Sequence, residues 1–259
     1  MANIFWKIKM AVKAMKVLKN GYLYYLIYFG LINKSQVIFI TKNNIKLEIR
    51  LAKKSSDFHV FTEIWLDNAY LQNFELKSNC TIIDIGSHVG MFSILCSQKF
   101  PNSKIFTFEP DKDNFKNQIK HIKMNKIKNV FSNNCAVSNI TGEQEFFISD
   151  SDFAGHSLIK KSNKSVKIKS IKLEDIFQEN KIKKCDLIKI DCEGAEYDIV
   201  MDMTEKDLNK IENFCIEYEN LNNVKHTIKD LVEKLQSNNF IVQLKKISEK
   251  SGYLFAKKI

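Results

Sequence analysis

Residues 80–90 read CTIIDIGSHVG, and this stretch decides the fold. Thr81-Ile82-Ile83 is a β-branched apolar run suited to a buried parallel strand. It closes on Asp84, then Gly86 and Gly90, and a helical pattern (Met91-Phe92-Ser93-Ile94-Leu95-Cys96) starts at once. Strand, glycine turn and helix start form the first half of a βαβ nucleotide site. The glycines let the backbone approach a ligand, and the helix start offers unpaired N–H groups to an anion. The spacing departs from the G-x-G-x-x-G dinucleotide fingerprint. Taken alone, the loop fits an ordinary strand–turn–helix corner equally well.

The surrounding chain favours the nucleotide site. Apolar strand patterns fall at 81–84, 104–108, 130–133, 187–191, 214–218, 240–244 and 253–256, with helical patterns at 90–99, 113–125, 197–202 and 224–238. This alternation predicts an α/β, Rossmann-like doubly wound sheet, mostly parallel and seven-stranded. Only a short polar run separates the last two strands, which predicts a hairpin and hence one antiparallel strand. An insertion at 143–148 and 166–170, with Phe153 and Leu158, is expected over the C-terminal edge of the sheet, where such folds keep their ligand.

Residues 1–75 read as an N-terminal extension to a nucleotide-site domain at 76–259. Residues 4–19 have helical spacing, with Lys9, Lys13, Lys16 and Lys19 on one face and Ile8, Ala11, Met15 and Leu18 opposite. Residues 21–32 (GYLYYLIYFGLI) are apolar and uncharged, but a bilayer span needs about 20. They also lack the cleavage site of a secretory signal. The segment is either a basic amphipathic anchor on a membrane face or a helical extension packed on the domain or a second subunit. Residues 36–51 predict a hairpin around Lys42-Asn43-Asn44, and 56–71 a helix burying Phe61, Ile64, Trp65 and Leu71.

Composition narrows the function. The chain has 259 residues, 44% hydrophobic and 27% charged, with 8 Gly and 2 Pro, so it carries no low-complexity linker. Its net charge of +10 contains a single arginine, Arg50. Arginine is the better fork for phosphates and base edges, so nucleic acid is a disfavoured partner. None of the six cysteines forms a C-x-x-C pair. They read as reduced cysteines of a cytoplasmic protein, one that could sit peripherally on the inner membrane face.

The second strand ends in Glu109-Pro110, where a Rossmann-type site captures ribose hydroxyls. The fourth reads Lys189-Ile190-Asp191-Cys192-Glu193-Gly194-Ala195-Glu196. A lysine inside a central strand needs a paired ammonium, and alternation puts Lys189 and Asp191 on one face. The carboxylates Asp191, Glu193 and Glu196 at this edge suit a general base or a divalent cation. Glu217 and Glu219 end the fifth strand, and His156 in the insertion is a reserve base.

Together these residues resemble the FkbM-type family of S-adenosylmethionine-dependent methyltransferases. The matching pieces are DIGSHVGMFS (84–93), FEP (108–110), Asn134 to Ser138 followed by Gly142, IKSIKLEDIF (168–177), LIKIDCEGAE (187–196) and IEYE (216–219). The resemblance implies a class I methyltransferase fold. The cofactor's methionine end would lie on Asp84, Gly86, Ser87, His88 and Gly90, and its ribose on Glu109 beside Pro110. Asn134, Cys135 and Ala136 would border the adenine, with Asp191 near the methyl. It further implies O-methylation of a sugar in a surface glycan or of a secondary metabolite. Catalysis would rest on Asp191 and Glu193, helped by Lys189, with Glu217 and His156 in reserve. A homo-oligomer is a separate expectation, alongside the sugar or small-molecule acceptor. The competing expectations are an RNA or protein methyltransferase, or a membrane-surface module with a vestigial pocket. Two residues depart from the family pattern: Ser87-His88 replace the usual Ala-Asn, and Cys192 replaces Val or Ile.

Overall fold

In the computed structural model, residues 4–53, 55–147, 158, 164–220 and 225–259 are described. The chain begins with two helices, α1 (Ile4–Val17) and α2 (Tyr22–Tyr28), and an antiparallel hairpin of β1 (Gln36–Ile40) and β2 (Lys46–Arg50). Helix α3 (Asp57–Phe61) runs directly into a π-helical turn over Thr62–Leu66. The helix expected over 56–71 therefore stops at Leu66, and the wide turn re-aims its last residues. All four of its expected core residues are nonetheless buried.

Beyond it the elements alternate: β3 (Thr81–Ile85), α4 (Met91–Lys99), β4 (Lys104–Phe108), α5 (Lys112–Met124) and β5 (Val130–Asn133). The insertion contributes β6 (Ala136–Val137), β7 (Gly142–Phe147) and β8 (Ser165–Ile171), then α6 (Leu173–Glu179). The second half comprises β9 (Leu187–Ile190), α7 (Glu196–Asp202), α8 (Glu205–Leu208), β10 (Asn213–Glu219), α9 (Ile228–Ser237), β11 (Phe240–Lys246) and β12 (Ser251–Lys258).

Seven strands form the central sheet in the order β11-β12-β10-β9-β3-β4-β5. Strand β12 runs antiparallel to both of its neighbours, and the remaining pairs are parallel. This is the class I methyltransferase sheet. Strands β6, β8 and β7 form a separate three-stranded sheet, and Phe146 and Val137 turn from it towards the ligand edge. Phe153 and His156 lie outside the described residues.

Alternation along the strands divides the core. Ile83, Ile85, Ile188 and Ile190 pack with α6, α7 and α9, whereas Ile82 and Leu187 pack with α4 and the N-terminal extension. The extension adds Met10, Ala14, Leu18, Phe39, Ile49 and Phe61 to that second cluster. Asp84, Lys189 and Asp191 share the parity of Ile82 and Leu187, so they face the extension. In α1 the buried face is Met10, Ala14 and Leu18, while Ile8 and Met15 are exposed. The apolar face expected opposite the lysines is thus divided: Leu18 is buried, whereas Ile8 and Met15 are exposed, because the apolar arc is wider than the contact with the rest of the chain.

Candidate active site

The loop between β3 and α4 is shaped by contacts that only glycine permits. Gly86 has φ +71°, and a Cβ there would lie 1.7 Å from the Asp191 carbonyl oxygen. Its N–H and that of Ser87 both donate to the Phe108 carbonyl, at 3.0 and 3.1 Å. His88 adopts φ +50°, a left-handed conformation that Asn and His tolerate better than most residues. Its peptide N–H donates to Glu109 Oε2 at 2.7 Å, and that of Asp111 to Oε1 at 2.9 Å. Two backbone donors thus fix the Glu109 carboxyl at the end of β4. Burial nevertheless pushes it up to about 8.

Behind this loop stands a buried ion group. Lys189 on β9 is the register partner of Asp84 on β3. Its ammonium lies 3.3 Å from Asp84 Oδ1 and 3.3 Å from Asp191 Oδ2, and donates to the Gly86 carbonyl at 3.0 Å. Burial opposes the charge, but Asp84 and Asp191 outweigh it and raise the lysine above its ordinary value. Ser93 Oγ donates to Asp84 Oδ2 at 2.6 Å. Asp84 is fully buried, so it acts by positioning Lys189 and, through it, the Gly86 loop and Asp191.

A cleft enclosing about 850 Å3, open mouth included, runs over this loop. Of the expected cofactor residues, Gly86, Ser87, His88, Glu109, Pro110, Ala136 and Asp191 line it. Asp84, Gly90, Asn134 and Cys135 do not line it: Asp84 and Gly90 are buried, whereas Asn134 is exposed. Gly90, at φ +81°, starts α4. Asn134 Nδ2 donates to the Glu109 and Pro110 carbonyls at 2.8 and 3.1 Å, clamping the turn after β4. Cys135 is half-buried.

A second cleft adjoins the first, and the two share Val60, Glu63, Asp191 and Glu193. Glu217, Tyr253, Lys245 and Trp6 line its far side. Tyr70 closes the junction: its hydroxyl lies 2.7 Å from Glu217 Oε2 and 3.1 Å from Asp191 Oδ2. One hydroxyl proton serves two carboxyl groups. Burial, then Asp191 and Glu63, raises Glu217, while burial, then Asp191, raises Glu63. Glu63 and Tyr70 come from the extension, and sequence reading missed them both. The one available signal was their place near a helix pattern that ends in a polar turn. Glu196 leaves the group of edge carboxylates instead: it accepts from the Gly194 N–H at 2.7 Å and the Glu219 N–H at 3.2 Å, bracing the loop from beneath. Among the described residues, no three His, Cys, Asp or Glu side chains gather as metal ligands.

Arg50 braces the floor. Its guanidinium donates to both Asp57 carboxylate oxygens, at 2.8 and 2.7 Å, and to Asn114 Oδ1 at 2.9 Å. Burial works against the Asp57 charge, yet Arg50 holds the carboxyl below its usual range. The His88 ring lies above this pair, with Nε2 3.9 Å from Asp57 Oδ1 and neither ring nitrogen hydrogen-bonded. Burial pushes the imidazole down to about 4. His88 therefore enters the cleft wall as a neutral ring.

These residues fit S-adenosylmethionine. The buried Glu109 carboxyl lines the cleft, where it would accept from ribose hydroxyls, the glycine loop leaves no room for a Cβ, and an orphaned imidazole and the paired Lys189–Asp191 border the same cleft. A family model, the methyltransferase FkbM domain, matches residues 84–242. Methyltransferase 1 of Beauveria bassiana is 24% identical over 64% of this chain and 74% of its own. The hexuronic acid methyltransferase AglP of Haloferax volcanii is 26% identical over 50% of this chain and 52% of its own. Among solved structures, a precorrin-6y C5,15-methyltransferase from Geobacter metallireducens aligns with a TM-score of 0.46 at 14% identity, over 74% of this chain and 87% of that one. With the family match spanning the cofactor loop, Glu109, the Lys189–Asp191 pair and Glu217, the chain belongs to the FkbM methyltransferase family and is an S-adenosylmethionine-dependent methyltransferase.

Proposed function

We propose that the chain transfers a methyl group to a hydroxyl of a sugar in a glycan or of a secondary metabolite. The observation that supports this reading is the junction of the two clefts at Glu63, Asp191 and Glu193. A hydroxyl is a poor nucleophile until its proton is accepted, and carboxylates at the point of attack supply acceptors and orientation. Glu109 and the Gly86–His88 loop would hold S-adenosylmethionine, which would supply an electrophilic methyl when bound.

The residues divide the remaining work. Asp191 is held by Lys189 and Tyr70 and orients the acceptor hydroxyl. Glu63, raised by burial and lining both clefts, takes the proton, with Glu193 beside it. Glu217 accepts from the Tyr70 hydroxyl and tunes the group. Trp6 offers a ring, and Lys245 a cation, to a polyhydroxylated acceptor in the second cleft, with the buried Tyr253 in its wall. The likeness to a hexuronic acid methyltransferase points the same way.

The test is methylation of a panel of glycosides, uronosides and polyketide-type alcohols with methyl-labelled cofactor, the product bond located by NMR. An O-methyl product lost in Glu63→Gln supports the reading. Label entering only RNA or protein, with every alcohol refused, overturns it.

A further inference from the structure

The first 47 residues contain eight lysines and no acidic residue; Glu48 is the first. Within them, α1 and α2 meet at a close corner, where a Cβ on Gly21 would lie 2.8 Å from the Ala14 carbonyl oxygen. Both helices are fastened inward. Met10, Ala14 and Leu18 fill the core, and buried Tyr24 packs on Phe58 with its hydroxyl 3.1 Å from Thr62 Oγ1. Among the described residues both helices are thus packed inward, yet a second apolar face remains outside. Ile8, Val12, Met15, Tyr22, Tyr25 and Phe29 line an outward groove, each about half exposed. Leu31, 65% exposed, extends the patch. A contiguous surface of this kind marks an interaction site.

We propose that this face docks the enzyme onto an anionic lipid bilayer, lying in the headgroup boundary without crossing it. Charge complementarity selects the occupant. Exposed Lys9 and Lys16 flank the groove on α1, and exposed Lys19 and Lys34 lie in the adjoining chain. A self-paired interface would bring these lysines against their own copies with no carboxylate in the segment to offset them. An anionic headgroup layer receives apolar side chains and lysines together. Tyr22 and Tyr25 carry a polar tip on an apolar body, which suits the boundary between acyl chains and water. Among the described residues, no helix is long and apolar enough to cross a membrane, so the docking is peripheral.

The experiment is co-sedimentation of the full chain with vesicles of phosphatidylcholine, alone or with one-third phosphatidylglycerol. Sedimentation with the mixed vesicles only, weakened by salt, is expected. Val12→Glu/Tyr25→Glu and, separately, Lys9→Gln/Lys16→Gln should each lower partitioning by about tenfold or more. S-adenosylhomocysteine affinity should stay unchanged in both, because neither pair touches the cofactor cleft. The lysine pair is solvent-exposed, so it decides the matter should the first variant misfold. Equal binding to neutral vesicles, no binding to anionic ones, or full binding by the lysine variant overturns the proposal. A dimer dissolved by Val12→Glu/Tyr25→Glu without vesicle binding overturns it in favour of a second copy.

Discussion

The Tyr70 hydroxyl lies 2.7 Å from Glu217 Oε2, and it reaches Asp191 Oδ2 at 3.1 Å from the same oxygen. It links the ends of two neighbouring strands through a residue of the N-terminal extension. Tyr70→Phe removes the link and keeps the ring that packs on Phe92 and Tyr253. Turnover should fall by about tenfold to a hundredfold, with S-adenosylhomocysteine affinity little changed. Calorimetry beside steady-state kinetics separates the two. An equal loss of both would make Tyr70 part of the cofactor site instead.

Asp191→Ala should abolish measurable turnover while leaving cofactor binding detectable, because Glu109 and the Gly86–His88 loop remain. Substantial retained activity on an alcohol acceptor would remove Asp191 from the reaction. Glu63→Gln should instead move or erase the acid limb of the pH–rate profile, as expected for loss of a base.

Lys189→Met should be costly. It leaves Asp84, fully buried, and Asp191 without a counter-ion. Breaking one partner from a buried pair costs about 3–5 kcal/mol, measurable by urea denaturation. The double variant Lys189→Met/Asp84→Asn should recover part of that stability, because the fully buried one of the two uncompensated charges is gone.

Stability should fall as pH rises. Burial lifts Glu109 to about 8 and Glu196 to about 7, and raises Glu63 and Glu217 with them. In the unfolded chain these groups return to the ordinary glutamate value of 4.5. Between that value and about 9, to which Glu217 is raised, the folded chain binds protons that the unfolded chain has released, so the stability they contribute is present at low pH and lost across this window. His88, pushed down to about 4, works oppositely and only below its unfolded value of 6.5. The melting temperature of the ligand-free chain should therefore decline from neutral pH towards about pH 9. Glu217→Gln should flatten the decline; an unchanged slope would show that Glu217 does not carry it.

Gly86→Ala should abolish cofactor binding, since its Cβ would meet the Asp191 carbonyl oxygen at 1.7 Å. His88→Asn should be tolerated, because Asn accepts φ +50° and keeps the peptide N–H that Glu109 uses. A His88→Asn chain that loses cofactor affinity would assign the imidazole a direct role.

Local patterns determined much of this protein. The β-branched run at 81–83, the glycines after it and Glu109 at the next strand end announce the sheet and the loop, because strand parity and turn conformation depend on near neighbours in sequence. The pairing of Lys189 with Asp191 follows from the same parity. Tertiary structure alone decided which carboxylates serve the site. Glu196 looked like an edge acid but turns back onto two backbone N–H groups, and Asp84 lies behind the wall it was expected to form. Glu63 and Tyr70 carried only the signal of their place in a helix pattern that ends in a polar turn, since the π-helical turn over Thr62–Leu66 and the contact with strands more than a hundred residues away are not written in residues 56–71. The outer face of α1 was hidden for a related reason. An apolar arc shows that burial is available, and only the packed core shows which part of the arc it uses.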